Sequence, residues 1–130
     1  MKYFLITIII ILFLACNAST KKIEFTKHYP DNYNAFIRWK RFDNLKVFLK
    51  AEDYKTLDKI KKKYKNSTVN SYKLILMKKI NKDEYKVIIE REEVILPSNT
   101  LKTNRYIQYW NFNKELKLWK IEKEIEDKED

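Results

Sequence analysis

The chain has 130 residues, with 28 lysines and arginines against 18 aspartates and glutamates, and a net charge of +10 at neutral pH. That length suits one small domain and leaves no room for two. Glycine is absent and cysteine occurs once, which excludes a glycine-rich phosphate loop and an intramolecular disulfide. Unusual backbone angles are left to Asn, Asp and Pro.

The first element is an apolar run. Lys2 precedes residues 3–15, interrupted only by Thr7, and Ala15 stands directly before Cys16. A basic start, an apolar stretch of ~7–15 residues and a small residue before the cut make the pattern of a secretory signal peptide. The run falls short of the ~20 residues that cross a bilayer. Leu12-Phe13-Leu14-Ala15-Cys16 resembles the lipobox of bacterial lipoproteins, in the looser form found in spirochaetes. Phe13 and Leu14 depart from the strict pattern. The resemblance implies cleavage after Ala15, acylation of Cys16, and a membrane-anchored, extracytoplasmic location on the periplasmic leaflet or cell surface. Two or three acyl chains at ~0.8 kcal/mol per buried methylene anchor a protein stably where one chain is marginal. A plain signal peptide, with Cys16 removed or left as an ordinary thiol, is the alternative. The expected divisions are signal peptide 1–15, lipidated cysteine and tether 16–32, a single domain 33–125 and an acidic tail 126–130.

The tether is small and polar from Asn17 onward and closes on the turn-like Tyr29-Pro30-Asp31-Asn32. His28, the only histidine, has no other ligand type at metal spacing and reads as a solvated side chain.

Helical periodicity begins after Asp31 or Asn32, either of which suits an N-cap. Ala35, Trp39, Phe42, Leu45 and Leu49 recur at steps of four, three, three and four. This spacing predicts one apolar stripe along a helix over 33–51. Glu52-Asp53 suit the cap of a second helix with Tyr54, Leu57, Ile60 and Tyr64 on one face, and a continuous helix is the alternative. Lys59, Lys61, Lys62, Lys63 and Lys65 crowd its C-terminal end, where cations meet the negative end of the helix dipole.

After Asn66-Ser67-Thr68 the period changes to two. Tyr72, Leu74 and Leu76 alternate with Lys73, Ile75 and Met77, and Asn81-Lys82-Asp83-Glu84 makes a polar turn. Tyr85, Val87 and Ile89 set the next alternation, which reappears out of phase at Val94 and Leu96. A bulge or bend is therefore expected across Glu90-Arg91-Glu92-Glu93, with its charges toward solvent. A third strand over 103–112 places Tyr106, Trp110 and Phe112 on one side. A fourth over 116–125 alternates Trp119, Ile121 and Ile125 with charge.

Helices followed by a strand meander predict an α+β fold: one or two N-terminal helices packed on a curved antiparallel sheet of three to four strands. The order of elements, closing on Tyr109-Trp110-Asn111-Phe112 and Leu118-Trp119-Lys120-Ile121, resembles a nuclear transport factor two-like (cone-shaped) domain. A cystatin-like arrangement fits nearly as well. Members of the cone-shaped family range from enzymes to binding modules, so the fold does not choose a function.

Glu90 and Glu92 share a strand face and are spaced as an acid–base pair, but charges alternating along a strand are ordinarily its wet side. The chain reads as no enzyme, with neither metal nor cofactor. Basic charge interleaved with aromatics would suit nucleic acid, yet export argues against it. What is expected is a small non-enzymatic ligand- or protein-binding domain on a membrane anchor. Its binding surface is the concave face of the sheet around Tyr106, Trp110 and Trp119, aromatics whose ordinary place is the core. One alternative is an inhibitor or immunity-type protein that meets an acidic protein or polyanion through Lys59, Lys61, Lys62, Lys63 and Lys65. The other is an enzyme using a cone-shaped pocket.

Overall fold

The computed structural model describes residues 23–50 and 53–128. They form α1 (His28–Arg38), a 3-10 turn (Phe42–Val47), α2 (Tyr54–Lys63), β1 (Ser67–Asn81), β2 (Glu84–Ile95), β3 (Thr100–Asn113) and β4 (Leu118–Asp127). The strands make one antiparallel meander in the order β1-β2-β3-β4, and the helical segments cover one face of it. The fold is α+β.

The helix expected over 33–51 starts earlier and is broken. α1 stops at Arg38 because Lys40 takes a left-handed angle, φ 56°. The N–H groups of Lys40 and Arg41 then turn back to the carbonyls of Ile37 and Phe36, at 3.1 and 2.8 Å. This is a Schellman ending, built on lysine in a chain without glycine. The apolar stripe therefore belongs to two elements. Trp39 turns out to solvent beneath the Arg38 guanidinium, 5.0 Å from its ring. The 3-10 turn redirects Leu45, Phe48 and Leu49 into the core.

The folded unit also takes in part of the stretch read as tether. Phe25 is buried, 4.5 Å from the Tyr85 ring and edge-on to Trp119 at 5.1 Å. Trp119 Nε1 donates to the Ile23 carbonyl at 2.7 Å. Pro30 sits in the first turn of α1, where a missing N–H costs nothing. α2 is a separate helix: Asp53 caps it by accepting the Thr56 N–H at 3.2 Å, satisfying one orphan donor of the first turn. Leu57 and Tyr64 point into the core, while Tyr54 points outward. At the other end of the chain, β4 runs on to Asp127, so the first acidic residues of the expected tail are strand.

β2 pairs with β3 without a register shift. The bulge expected in β2 is absent, and the irregularities lie on its partners. β1 shifts at Val69/Ser71, Leu74/Leu76 and Lys79/Asn81, and such bulges bend a strand and tighten its twist. β4 has one bulge. Trp110 faces Ile121 and Tyr109 faces Lys123, so Glu122 is the extra residue. That residue reverses the phase of the rest of β4. Trp119 and Ile121 point inward as expected, but Ile125 is turned out and Glu124 is turned in.

The core gathers around Trp110, which is fully buried. Phe25, Phe48 and Tyr33 hold it with ring centroids at 5.6, 5.6 and 5.8 Å. Each ring of this size removes ~150–250 Å² from water, an upper bound of ~4–6 kcal/mol before entropy is counted.

Candidate functional site

β2 keeps its alternation through its charged stretch: Val87, Ile89, Arg91 and Glu93 all face inward. A guanidinium and a carboxylate thus stand where two more aliphatic side chains would fit the pattern. A buried charge requires a counter-charge and complete hydrogen bonding, and each neighbouring element supplies part. Arg91 Nε donates to Asn34 Oδ1 of α1 at 2.8 Å, and Nη1 to the Tyr64 hydroxyl at 3.2 Å. Nη1 and Nη2 also donate to the two oxygens of Glu124 on β4, at 2.8 and 2.7 Å. Gln108 of β3 closes the circuit. Its Nε2 donates to Glu124 at 2.7 Å, and its Oε1 accepts the Trp110 Nε1–H at 3.1 Å.

A second chain of groups runs beside the first. Glu93 accepts from the Tyr106 hydroxyl, and from Asn104 at 3.0 Å. Lys63, at the end of α2, donates to the same hydroxyl. Two cations lie against the Tyr106 ring: Lys63 Nζ at 4.1 Å and the Arg91 guanidinium at 4.3 Å from its centroid. Both contacts are favourable to the negative face of the ring.

Beside this network a cleft of about 350 Å³ opens between α2 and the inner face of the sheet. Tyr106, Ile121 and Glu124 line it from the strands, and Thr56, Lys59 and Lys63 from α2. Burial alone would raise the Glu124 carboxyl; the charge and hydrogen bonds of Arg91, with the bond from Gln108, outweigh it and hold the group below the usual carboxylate range. Burial would likewise discharge Arg91, and Glu124 keeps it charged. Burial pushes the Lys63 amine down, an effect that the negative charge of Glu93 opposes. Tyr106 is pushed far up, first by burial and then by Tyr64 and Glu93.

Tyr106, Trp110 and Trp119 are all on the inner face as expected. Trp110 and Trp119 are packed into the core, and Tyr106 is the one of the three that lines this cleft. The five lysines of the α2 region are exposed but diverge. Lys59 and Lys63 border the cleft, while Lys61 pairs with Asp43 at 3.3 Å; Lys62 and Lys65 do not line it. Cys16 and the expected signal peptide, residues 1–15, lie outside the described residues. His28 is exposed at the start of α1. Glu90 and Glu92 alternate with Arg91 and Glu93 and project from the other face. There Glu90 pairs with Arg105 at 3.4 Å and Glu92 accepts from Asn70 at 2.6 Å.

Asn34, Arg91, Glu93, Gln108 and Glu124 are the site residues that sequence reasoning missed. A signal existed for three of them. Arg91 and Glu93 continue the Val87–Ile89 phase, and Gln108 sits between the inward Tyr106 and Trp110. Among the described residues, no three or more His, Cys, Asp and Glu side chains are placed to hold a metal ion. No helix among them is long and apolar enough to cross a membrane. Comparison with protein-family models, with curated proteins and with solved structures finds no match.

Proposed function

We propose that the chain is an exported bacterial lipoprotein, anchored by acyl chains on Cys16, whose α+β domain binds a ligand in the cleft beside α2 without transforming it. The observation that carries the binding reading is an open cleft backed by a buried, densely hydrogen-bonded polar network. Such a network holds its side chains in one geometry, which is what a preorganised binding surface needs. Lys59, Lys63 and Lys123 stand against Glu122, Glu124 and Glu126 around the cleft. That balance suits a ligand bearing both charges, such as a short peptide, better than a polyanion. Glu124 is kept ionised, with both oxygens engaged by Arg91 and Gln108. It therefore lacks the proton of a general acid, and the charge and hydrogen bonds that hold it ionised make it a weak general base, which supports binding over catalysis. The lipobox-like Leu12-Phe13-Leu14-Ala15-Cys16 supports the anchor.

Tripeptides of defined charge, titrated into the labelled protein and followed by NMR, test the cleft. Saturable shifts at Thr56, Lys63 and Tyr106 that weaken in Lys59→Glu support the reading; none of the peptides moving these signals overturns it. A second reading, an acidic protein partner, is favoured by the five exposed lysines of the α2 region. Polyglutamate shifting Lys61, Lys62 and Lys65 while leaving Tyr106 unmoved would select it. Intact mass of the membrane-extracted protein tests the anchor: a species that starts at Cys16 and is heavier by acyl chains is expected. An unacylated species in soluble fractions overturns that half.

A further inference from the structure

Two turns lie together at one end of the sheet: residues 81–84 between β1 and β2, and residues 113–118 between β3 and β4. The Phe112 N–H donates to the Asp83 carbonyl at 2.9 Å, and Lys114 Nζ stands 3.7 Å from the Asp83 carboxylate. The described chain also begins at this end. Ile23 is held by Trp119, the second residue of β4, and Glu24 and Phe25 share a shallow pocket with Lys79 and Lys82. This end exposes Ile23, Ile80, Leu116 and Leu118. Lys78, Lys79, Lys82, Lys114 and Lys117 are interleaved with them and are also exposed. Of the acidic groups there, Asp83 pairs with Lys114 and Glu84 accepts from Asn81 at 3.3 Å, while Glu24 and Glu115 are exposed among the five lysines.

From this we infer that the end of the sheet carrying both turns rests on an anionic lipid surface, its apolar side chains at the headgroup level and its lysines against the phosphates. Apolar residues at the tips of turns, ringed by lysine, have the composition of an interfacial contact. Each lysine near such a surface contributes ~1 kcal/mol, and the apolar tips add burial.

The inference rests on the anchored reading for its orientation, and a length decides it. Seven residue steps separate Cys16 from Ile23, so the connection reaches at most ~25 Å. The opposite end of the sheet also exposes apolar side chains, at Ile95, Leu96 and Leu101. It lies the 12-residue length of β2 away, ~40 Å at ~3.3 Å per residue, beyond that reach. Arg91 and Glu93 lie in the half of the sheet remote from the two turns, whereas Glu124 is level with Gln108 and Val87 in the nearer half.

The test uses the full protein purified from membranes and reconstituted into vesicles of phosphatidylcholine alone or mixed with phosphatidylglycerol. Amide hydrogen exchange is then followed by peptide. Slower exchange over residues 75–83 and 113–118 in the anionic vesicles, and unchanged exchange over 96–101, is expected. Lys79→Ala and Lys82→Ala should each weaken the docked state about fivefold, the factor that corresponds to ~1 kcal/mol per lysine. Ile80→Asp with Leu116→Asp, one at the exposed end of β1 and the other in an exposed turn, should abolish the protection with the fold intact. Equal exchange of the turns in both vesicles, or protection at 96–101 instead, overturns the inference. Intact mass of the same sample reads the acyl chains separately, so a missing anchor and a missing docked state are told apart.

Discussion

Arg91 and Glu124 meet through two parallel hydrogen bonds of 2.8 and 2.7 Å, with the arginine wholly removed from solvent. One comes from an unbulged strand and the other is turned inward by a bulge two residues before it. The pair thus ties the register of β4 to the centre of the sheet through α1, α2 and β3. Losing one partner strands a buried charge, which costs ~3–5 kcal/mol, whereas replacing both with apolar groups costs far less. Arg91→Met is therefore expected to lower unfolding free energy by ~3 kcal/mol or more. Arg91→Met with Glu124→Met should recover most of that loss. Urea denaturation of the two single variants and the double variant checks the coupling.

The same pair sets a dependence on acid. The Glu124 carboxyl is held below its ordinary value of 4.5 in the folded chain. Its contribution is therefore fully present above that value and is lost as pH falls through the lower, folded one. Urea midpoints should decline across this acid range and decline less in Glu124→Gln. An equal decline in both proteins would remove Glu124 as the cause.

Alkali acts on the tyrosines. Burial raises Tyr33, Tyr64 and Tyr106 above the ordinary value of 10.0. Stability that depends on their protonated forms is complete below that value and is lost as pH rises toward the folded ones, because the unfolded chain releases its protons first. Unfolding and tyrosinate absorbance should therefore rise together above about pH 10. Tyr64→Phe is less stable at neutral pH, since the Arg91 bond is gone, but should lose stability with a shallower slope in alkali.

Sequence pattern revealed the order of elements and much of the apolar core, though not Phe25, Tyr33 or Val69, because those that it found rest on periodicity and turn residues. It failed where a local rule was overridden. Lys40 ends α1 in a conformation ordinarily given to glycine, so nothing at 40 marks a stop, and Trp39 was placed on a stripe it leaves. Arg91 and Glu93 carry an inward phase with charge, and a reading that assigns charge to solvent must then invent a bulge at 90–93. The bulge in β4, at Glu122, falls among alternating charges where its phase reversal leaves no apolar trace except the outward Ile125. Buried charge and glycine-free turns are long-range solutions, visible only once the partners are in place.

The left-handed residues give a direct measure of local strain. Lys40 and Lys117 have φ of 56° and 53°, a region that costs a residue with a Cβ ~1–2 kcal/mol relative to glycine. Lys117→Gly is expected to raise stability by about 1 kcal/mol. Lys40→Gly should gain less, since Lys40 Nζ donates to the Tyr64 carbonyl at 3.0 Å and that bond would go. Thermal melts of the two variants rank them, and the reverse order would contradict this account.

Phe25 tests where the domain begins. Its ring lies among Tyr85, Trp110 and Trp119 at 4.5, 5.6 and 5.1 Å. Phe25→Ala should cost ~3–5 kcal/mol as a core truncation, while His28→Ala, at an exposed position, should stay within ~0.5 kcal/mol. A negligible effect of Phe25→Ala in chemical denaturation would return residues 23–27 to the tether.

Deleting one residue from a strand ordinarily turns every side chain beyond it to the wrong face. Glu122 is the exception that the pairing of β4 predicts. Trp110 faces Ile121 and Tyr109 faces Lys123 with Glu122 left over, so its removal leaves each remaining pair opposite its present partner. Glu124 stays inward, and the losses are the hydrogen bond from Asn111 and the exposed 3.7 Å contact with Lys50. The Glu122 deletion should fold with a penalty of about 1–2 kcal/mol. Deletion of Ile107, which is paired with Ile88 in a ladder without a register shift and with Ile125 beyond the β4 bulge, should abolish folding. Circular dichroism and cooperative melting distinguish the outcomes. Equal damage from both deletions would show that the bulge, rather than the pairing it preserves, holds Glu124 against Arg91.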